Sequence, residues 1–231
     1  MEVQHLNELA RSFVAGSKRP VMKRNLAEGD AIITKTDLII EGQQVMQSWQ
    51  RRFMKTVARA ADPAGKAVLE IGFGLGIASD EIQRQGPKRH TIIECNPAVF
   101  KRLEVWAKRK RKTGADIELL QGTWQDLLPT LGTYEAILFD PYPFDEAEFQ
   151  SHWYDDGNFD AHFFPHAAKH LKQGGTFSYF TNEIDSLSRQ HQQQLFAHFA
   201  KIEIEVVRNL EPPEDCQYWW APLMTVVRAV K

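Results

Sequence analysis

Two cysteines in 231 residues, Cys95 and Cys216, are too few for a disulfide framework or a zinc cluster. No apolar stretch approaches the roughly 20 residues needed to cross a bilayer. The opening MEVQHLNELARSF lacks the apolar core of a signal peptide. These absences predict a cytoplasmic protein with no membrane partner. An excess of one charge is also missing: 28 Lys and Arg face 30 Asp and Glu, for a formal net charge of −2. Such a balance offers no general attraction for nucleic acid. His152, His162, His166 and His170 lie close in sequence, yet their spacing fits a helix face as well as a ligand set, and no metal is expected. Repeats, low-complexity tracts and interdomain linkers are absent as well.

What is present suits one folded domain with an appendage. Hydrophobic residues make up 43% and charged residues 25%, and the length allows a substantial core. Residues 1–42 are polar and uneven and read as an arm or lid carrying short helices; residues 43–231 read as the main domain. Within 43–61, Met46, Trp49, Phe53, Val57 and Ala60 recur at steps of three or four, which predicts an amphipathic helix ended by Pro63 and Gly65. From Ala67 onward, short apolar runs alternate with helical ones at 76–86, 97–111, 123–130, 159–171 and 186–200. That alternation predicts an α/β fold: a doubly wound, mostly parallel, seven-stranded sheet of Rossmann-like type with an antiparallel C-terminal strand.

The first of those runs, VLEIGFGLGIAS, breaks into Gly72, Gly74 and Gly76 where strand turns to helix. Glycines there let a ligand lie against the backbone. The next strand ends in Glu94, placed to accept hydrogen bonds from a ribose. A nicotinamide dinucleotide and S-adenosylmethionine both satisfy this pattern. A dinucleotide fingerprint, GxGxxG, would put its third glycine at Ile77, and Glu70 would repel a pyrophosphate. A sulfonium and an ammonium suit the acid, so S-adenosylmethionine is the expected cofactor. The turn after the third strand, QGTWQD, offers the backbone of Gly122 and Thr123 to an adenine, with Trp124 as a wall. Core packing for Trp124 and helix capping for Asp126 stand beside that reading.

The fourth strand ends in FDPYPF, so an acid follows an apolar run at the same sheet edge. A carboxylate at Asp140 can aim a nitrogen at a methyl donor and accept its proton. Pro141 and Pro143 stiffen the loop around Tyr142.

These motifs resemble the guanidinoacetate N-methyltransferase family and the related fungal arginine methyltransferases. The resemblance rests on VMQSWQRRFM (45–54), LEIGFGLGIAS (69–79), IIECN (92–96), GTWQD (122–126), ILFDPYP (137–143), LKQGG (171–175) and PPEDCQYWWAP (212–222). It implies methyl transfer from S-adenosylmethionine to a guanidino nitrogen of a small molecule such as arginine or guanidinoacetate. The implied catalytic residue is Asp140. The implied cofactor set is Met46, Glu70, Gly72, Phe73, Gly74, Gly76, Ile77, Ala78, Glu94, Cys95, Asn96, Gly122, Thr123, Trp124 and Asp140. The implied substrate set is Gln50, Met54, Asp140, Tyr142, Asn182 and Glu183. Gln50 departs from the family, which has a Glu there; either Glu183 supplies the missing charge from across the pocket or the acceptor is a differently charged amine or amidine. A homodimer is left open. Alternatives are a nucleic-acid amino-methyltransferase, with 108–112 (KRKRK) in its favour, an aminopropyltransferase, a dehydrogenase and a cofactor-binding protein without catalysis.

Overall fold

The computed structural model describes residues 19–155 and 158–231. Seven strands form one sheet: β4 (Ala67–Ile71), β5 (Arg89–Glu94), β6 (Ile117–Gln121), β7 (Tyr134–Phe139), β8 (Leu171–Thr181), β9 (Lys201–Arg208) and β10 (Leu223–Val230). Their order is β6-β5-β4-β7-β8-β10-β9. Neighbours from β6 to β8 are parallel, whereas β10 runs antiparallel to both β8 and β9. The expected doubly wound sheet is therefore present, and its antiparallel strand is inserted beside the edge.

Period-two alternation divides the sheet between two apolar layers. Val68, Ile92, Ala136 and Leu138 face a layer with Phe53, Met54, Ile82, Leu103 and Trp106. Those partners belong to the helices α1 (Arg51–Ala60), α2 (Ile77–Arg84) and α3 (Pro97–Arg111). Leu69, Ile71, Ile93, Ile137 and Phe139 face the other layer, with Phe163, Phe164 and Leu195. It is covered by α4 (Trp124–Leu127), a 3-10 turn (Phe159–Phe163), α5 (Phe164–His170) and α6 (Arg189–Phe196). Among the described residues no helix is long and apolar enough to cross a membrane.

The segment before α1 corrects the sequence reading. A three-stranded antiparallel sheet of β1 (Ala31–Ile33), β2 (Asp37–Ile40) and β3 (Gln43–Gln47) replaces short helices and the first turn of the expected 43–61 helix. Glu41 and Gly42 connect β2 to β3 with φ of 48° and 79°. Two consecutive positive φ values characterise the tight hairpin turn that suits paired strands. The bulge between Leu38 and Ile39 shifts the β2–β3 register, so Met46 pairs with Leu38. Helix α1 begins only at Arg51, after a 3-10 turn over Ser48–Gln50. The remainder of the expected arm, residues 1–18, lies outside the described residues.

Candidate active site

Chain order reverses between β4 and β7, because the chain leaves β4 for β5 and β6 on one side and returns to β7 on the other. Ligands of such sheets bind outside the carboxyl ends of the strands at that crevice. Here the two strand ends meet closely. Asp140 N–H donates to Ile71 O at 3.0 Å, and a Cβ on Gly72 would sit 2.6 Å from the Asp140 carbonyl oxygen. Gly72 also has φ of 89°, so the approach and the conformation both require glycine.

Above this junction lies a cavity with about 1180 Å³ of empty space, part of it open to solvent. Of the expected cofactor set, Met46, Gly72, Gly74, Glu94, Cys95, Asn96, Gly122, Thr123, Trp124 and Asp140 line it. Gln50, Tyr142 and Asn182 of the expected substrate set line it too.

The far wall comes from β5. Glu94 Oε2 accepts from Phe73 N–H at 3.0 Å, and its Oε1 accepts from Asn96 N–H at 2.9 Å. These bonds hold the carboxylate at the cavity rim with acceptor capacity remaining. Burial pushes the Glu94 carboxyl above its ordinary value in spite of those donors. Beside it, burial pushes the Cys95 thiol up to about 12, so it stays neutral and unreactive near pH 7. Asn96 Oδ1 caps α3 through Ala98 N–H and Val99 N–H, while its Nδ2 donates to Leu26 O and Gly29 O, both at 2.9 Å.

Those last two bonds tie down a strap that roofs the cavity. Leu26 N–H also donates to Phe144 O at 2.7 Å, and Met22 N–H donates to Glu146 Oε2 at 2.9 Å. The strap thus bridges the end of β5 to the loop after β7. Strand β3 closes the next side: Met46 Sδ accepts from Leu75 N–H at 3.2 Å and would lie 2.8 Å from a Cβ on Gly74. Met46 therefore reaches the glycine turn from a strand, not from the helix expected of it. Gln50 Oε1 accepts from Gln47 N–H at 3.1 Å and from Tyr218 O–H at 3.0 Å. Burial pushes the Tyr218 hydroxyl up, which keeps it a neutral donor.

Two more carboxylates line the cavity, Asp140 and Asp160. Burial, then the Glu70 charge, raises the Asp140 carboxyl well above the usual range. Burial, then the Asp140 charge, does the same to Asp160. No Lys, Arg or His among the described residues lines the cavity. A site walled by Glu94, Asp140 and Asp160 without a cationic side chain favours positive ligands and disfavours a pyrophosphate. Its backbone-lined glycine turn, rim carboxylate and polar turn at Gly122–Thr123 fit S-adenosylmethionine.

Several expected site residues lie elsewhere. Glu70 is fully buried beneath α2, where its Oε2 accepts from Ser79 Oγ at 2.7 Å and lies 2.8 Å from His90 Nε2. Strand alternation puts it on the Val68 side of the sheet, so it acts on the cavity only as a charge beneath Asp140. Phe73 and Gly76 build the turn from behind, since a Cβ on Gly76 would meet the Phe73 ring at 2.7 Å. Ile77, Ala78 and Met54 are buried in the apolar layer. Glu183 corrects the expected compensation for Gln50. Its Oε2 accepts from Ser188 N–H and pairs with His191 Nδ1, each at 3.0 Å, and it does not line the cavity. Against the pull of burial, those bonds hold its carboxyl below the ordinary value.

Asp160, Tyr218, Leu38, Ile40 and Phe144 line the cavity without having been singled out by the sequence. Tyr218 lies in the quoted 212–222 motif, and Asp160 left a signal of its own: an acid between Phe159 and Phe163 in an apolar run, where charge is costly unless used. Trp124 serves both of its readings, as cavity wall and as an edge-on neighbour of Phe163 at 5.1 Å. Thr123 Oγ1 caps α4 by accepting from Asp126 N–H. Among the described residues, no group of three or more His, Cys, Asp or Glu is placed to hold a metal.

Known proteins are similar to this chain in sequence and in fold. Protein arginine N-methyltransferase 2 of Yarrowia lipolytica is 31% identical over 175 residues, 72% of this chain and 34% of that protein. Protein arginine N-methyltransferase 2 of Gibberella zeae is 32% identical over 142 residues, 55% of this chain and 31% of its own length. The matched segments thus span about a third of these relatives. A solved methyltransferase from Pyrococcus furiosus superposes with a TM-score of 0.56 at 13% identity, covering 99% of this chain and 98% of that one, which shows the fold alone. The family model for guanidinoacetate N-methyltransferase matches residues 17–231, and the chain belongs to that family.

Proposed function

We propose that this chain is an S-adenosylmethionine-dependent N-methyltransferase whose acceptor is a guanidino nitrogen of a small molecule. The observation that carries the reading is the Asp140 carboxylate in the switch-point cavity, on a loop whose backbone is locked against Gly72.

When bound, S-adenosylmethionine supplies a methyl group on a positively charged sulfur, which an in-line nitrogen lone pair can displace. Gly72 and Gly74 let that ligand approach the backbone, and Glu94 accepts from its ribose hydroxyls. Asp140 accepts a hydrogen bond from the acceptor nitrogen, aims its lone pair and takes up the proton it loses. A carboxyl held high by burial is a better proton acceptor than an exposed one. Leu26 of the strap (residues 19–30) and Val45 and Met46 of strand β3 cover part of the cavity, and the less water reaches it the stronger each of these interactions is. We read this cover, rather than residues 1–42, as the lid.

A protein arginine side chain is the second reading, favoured by the names of the fungal relatives. The strap across the cavity mouth supports a small acceptor instead. Incubation with S-adenosylmethionine and a panel of free guanidines, arginine-containing peptides and amines, read by mass, tests both. The expected result is a 14-Da gain on a free guanidine. Methylation of peptide arginine alone would select the second reading, and methylation only of amines would overturn both.

A further inference from the structure

The cavity has to hold a guanidinium, which is a planar fork of N–H donors with no acceptor. Such a group is gripped best by two carboxylates. Asp140 is one. The position that would supply the other holds Gln50, a residue only 4% exposed. The Gln50 carbonyl oxygen already accepts from Gln47 N–H and Tyr218 O–H, one donor for each of its two lone pairs. Its remaining polar group is an NH₂, a donor that would face another donor. Gln50 therefore cannot act as the second acceptor, and Glu183 is engaged outside the cavity.

We propose that Asp160 supplies the second carboxylate and, with Asp140, grips the guanidinium from the opposite layer of the fold. The proposal rests on the guanidino reading above and names the residue that sets its specificity. Asp160 is 6% exposed and lines the cavity. Apart from its own backbone N–H, its carboxylate has no hydrogen-bond or ion-pair partner among the described residues. It is held in place on both sides. Asn158 Oδ1 caps its turn by accepting from Asp160 N–H at 3.3 Å. Phe159 and Phe163 stack on Phe139 at 6.2 and 4.0 Å. Phe139 immediately precedes Asp140, so one aromatic ring sets the positions of both acids. An acid buried this deeply without a partner is costly unless a cation arrives to meet it. After burial, the Asp140 charge is the next cause of the upward shift of the Asp160 carboxyl, as expected of two acids that line one cavity.

The test compares wild type, Asp160→Asn, Asp160→Ala and Asp160→Asn combined with Gln50→Glu. The acceptor is the free guanidine that the wild-type protein methylates fastest. The expected result for both single variants is a rise of about 10- to 100-fold in acceptor KM, with S-adenosylmethionine affinity within about threefold. Gln50→Glu replaces the facing NH₂ by an oxygen, and the double variant should recover most of the lost acceptor affinity. Rescue from the opposite wall is an effect that a merely structural Asp160 would not give. Unchanged acceptor KM in Asp160→Asn overturns the proposal and leaves the guanidino reading intact. Loss of cofactor affinity in parallel with acceptor affinity overturns it too, since Asp160 would then serve the cofactor. Wild-type protein that methylates no guanidine overturns the guanidino reading and this proposal with it.

Discussion

Replacing Asp140 by Asn changes one oxygen to NH₂ and leaves the backbone that forms the crevice. The Asp140 N–H bond to Ile71 O and the carbonyl packed against Gly72 are main-chain features and survive the change. Cofactor affinity should therefore stay within about threefold of wild type. Two contributions to turnover disappear. A hydrogen bond from a cationic donor to a carboxylate contributes about 1.5–3 kcal/mol. Loss of a positioned proton acceptor lowers rates by about 10²–10⁴. The two overlap, because one oxygen serves both roles, so we expect kcat to fall by about 10²–10⁴. That is about 3–5 kcal/mol of activation free energy. The assay is initial rates with both substrates saturating, beside calorimetric titration of S-adenosylmethionine. Relief of a buried charge should leave the ligand-free variant at least as thermally stable as wild type. A fall of less than tenfold would refute the assignment of Asp140 as proton acceptor. Cofactor affinity falling in step with turnover would place the residue on the cofactor instead.

Gly74→Ala puts a Cβ 2.8 Å from Met46 Sδ at a φ of 53°, a left-handed conformation costing about 1–2 kcal/mol. Calorimetry should show cofactor affinity lower by about tenfold or more; an unchanged value would mean that the turn does not carry the cofactor. Asn96→Ala removes a helix cap and two bonds to the strap, for a combined loss of about 2–4 kcal/mol. Limited proteolysis should then cut within residues 19–30 sooner than in wild type, and equal rates would count against the strap. The raised Asp160 carboxyl gives a pH prediction of definite sign. A group with a folded pKa above its unfolded value destabilises the fold as pH rises through the interval between the two. Asp160→Asn should therefore melt higher than wild type near pH 7 without ligand, by about 2–4 °C per kcal/mol relieved, and the difference should close toward pH 4. An equal difference at both pH values would contradict this.

The sheet was legible because most of its strands are short apolar runs and, as far as β9, each connection carries a helix; α3 matches its expected bounds at residues 97–111. The segment before α1 was not, because Met46, Trp49 and Phe53 keep a helical spacing by coincidence across a strand, a 3-10 turn and a helix. The overriding signal was Glu41-Gly42, a hairpin turn between the runs DLII and QQVMQ. In the cavity, residues that act through backbone or rim position, such as Gly72, Glu94 and Asp140, could be read from motif spacing. Glu70 could not, because whether a strand-end acid faces the ligand or a covering helix depends on pleat phase. Gln50 and Glu183 show the same gap for side chains. Only the structure reveals that the first has its oxygen occupied and that the second is held by His191. Asp160 reaches the crevice from a turn across the sheet, a juxtaposition that no local pattern encodes.

The most direct measurement is a crystal structure with S-adenosylhomocysteine and the guanidine that the enzyme methylates. The account predicts a guanidino nitrogen within about 2.6–3.2 Å of an Asp140 carboxylate oxygen, facing the cofactor sulfur. A guanidine bound with its nitrogens turned away from Asp140 would contradict it.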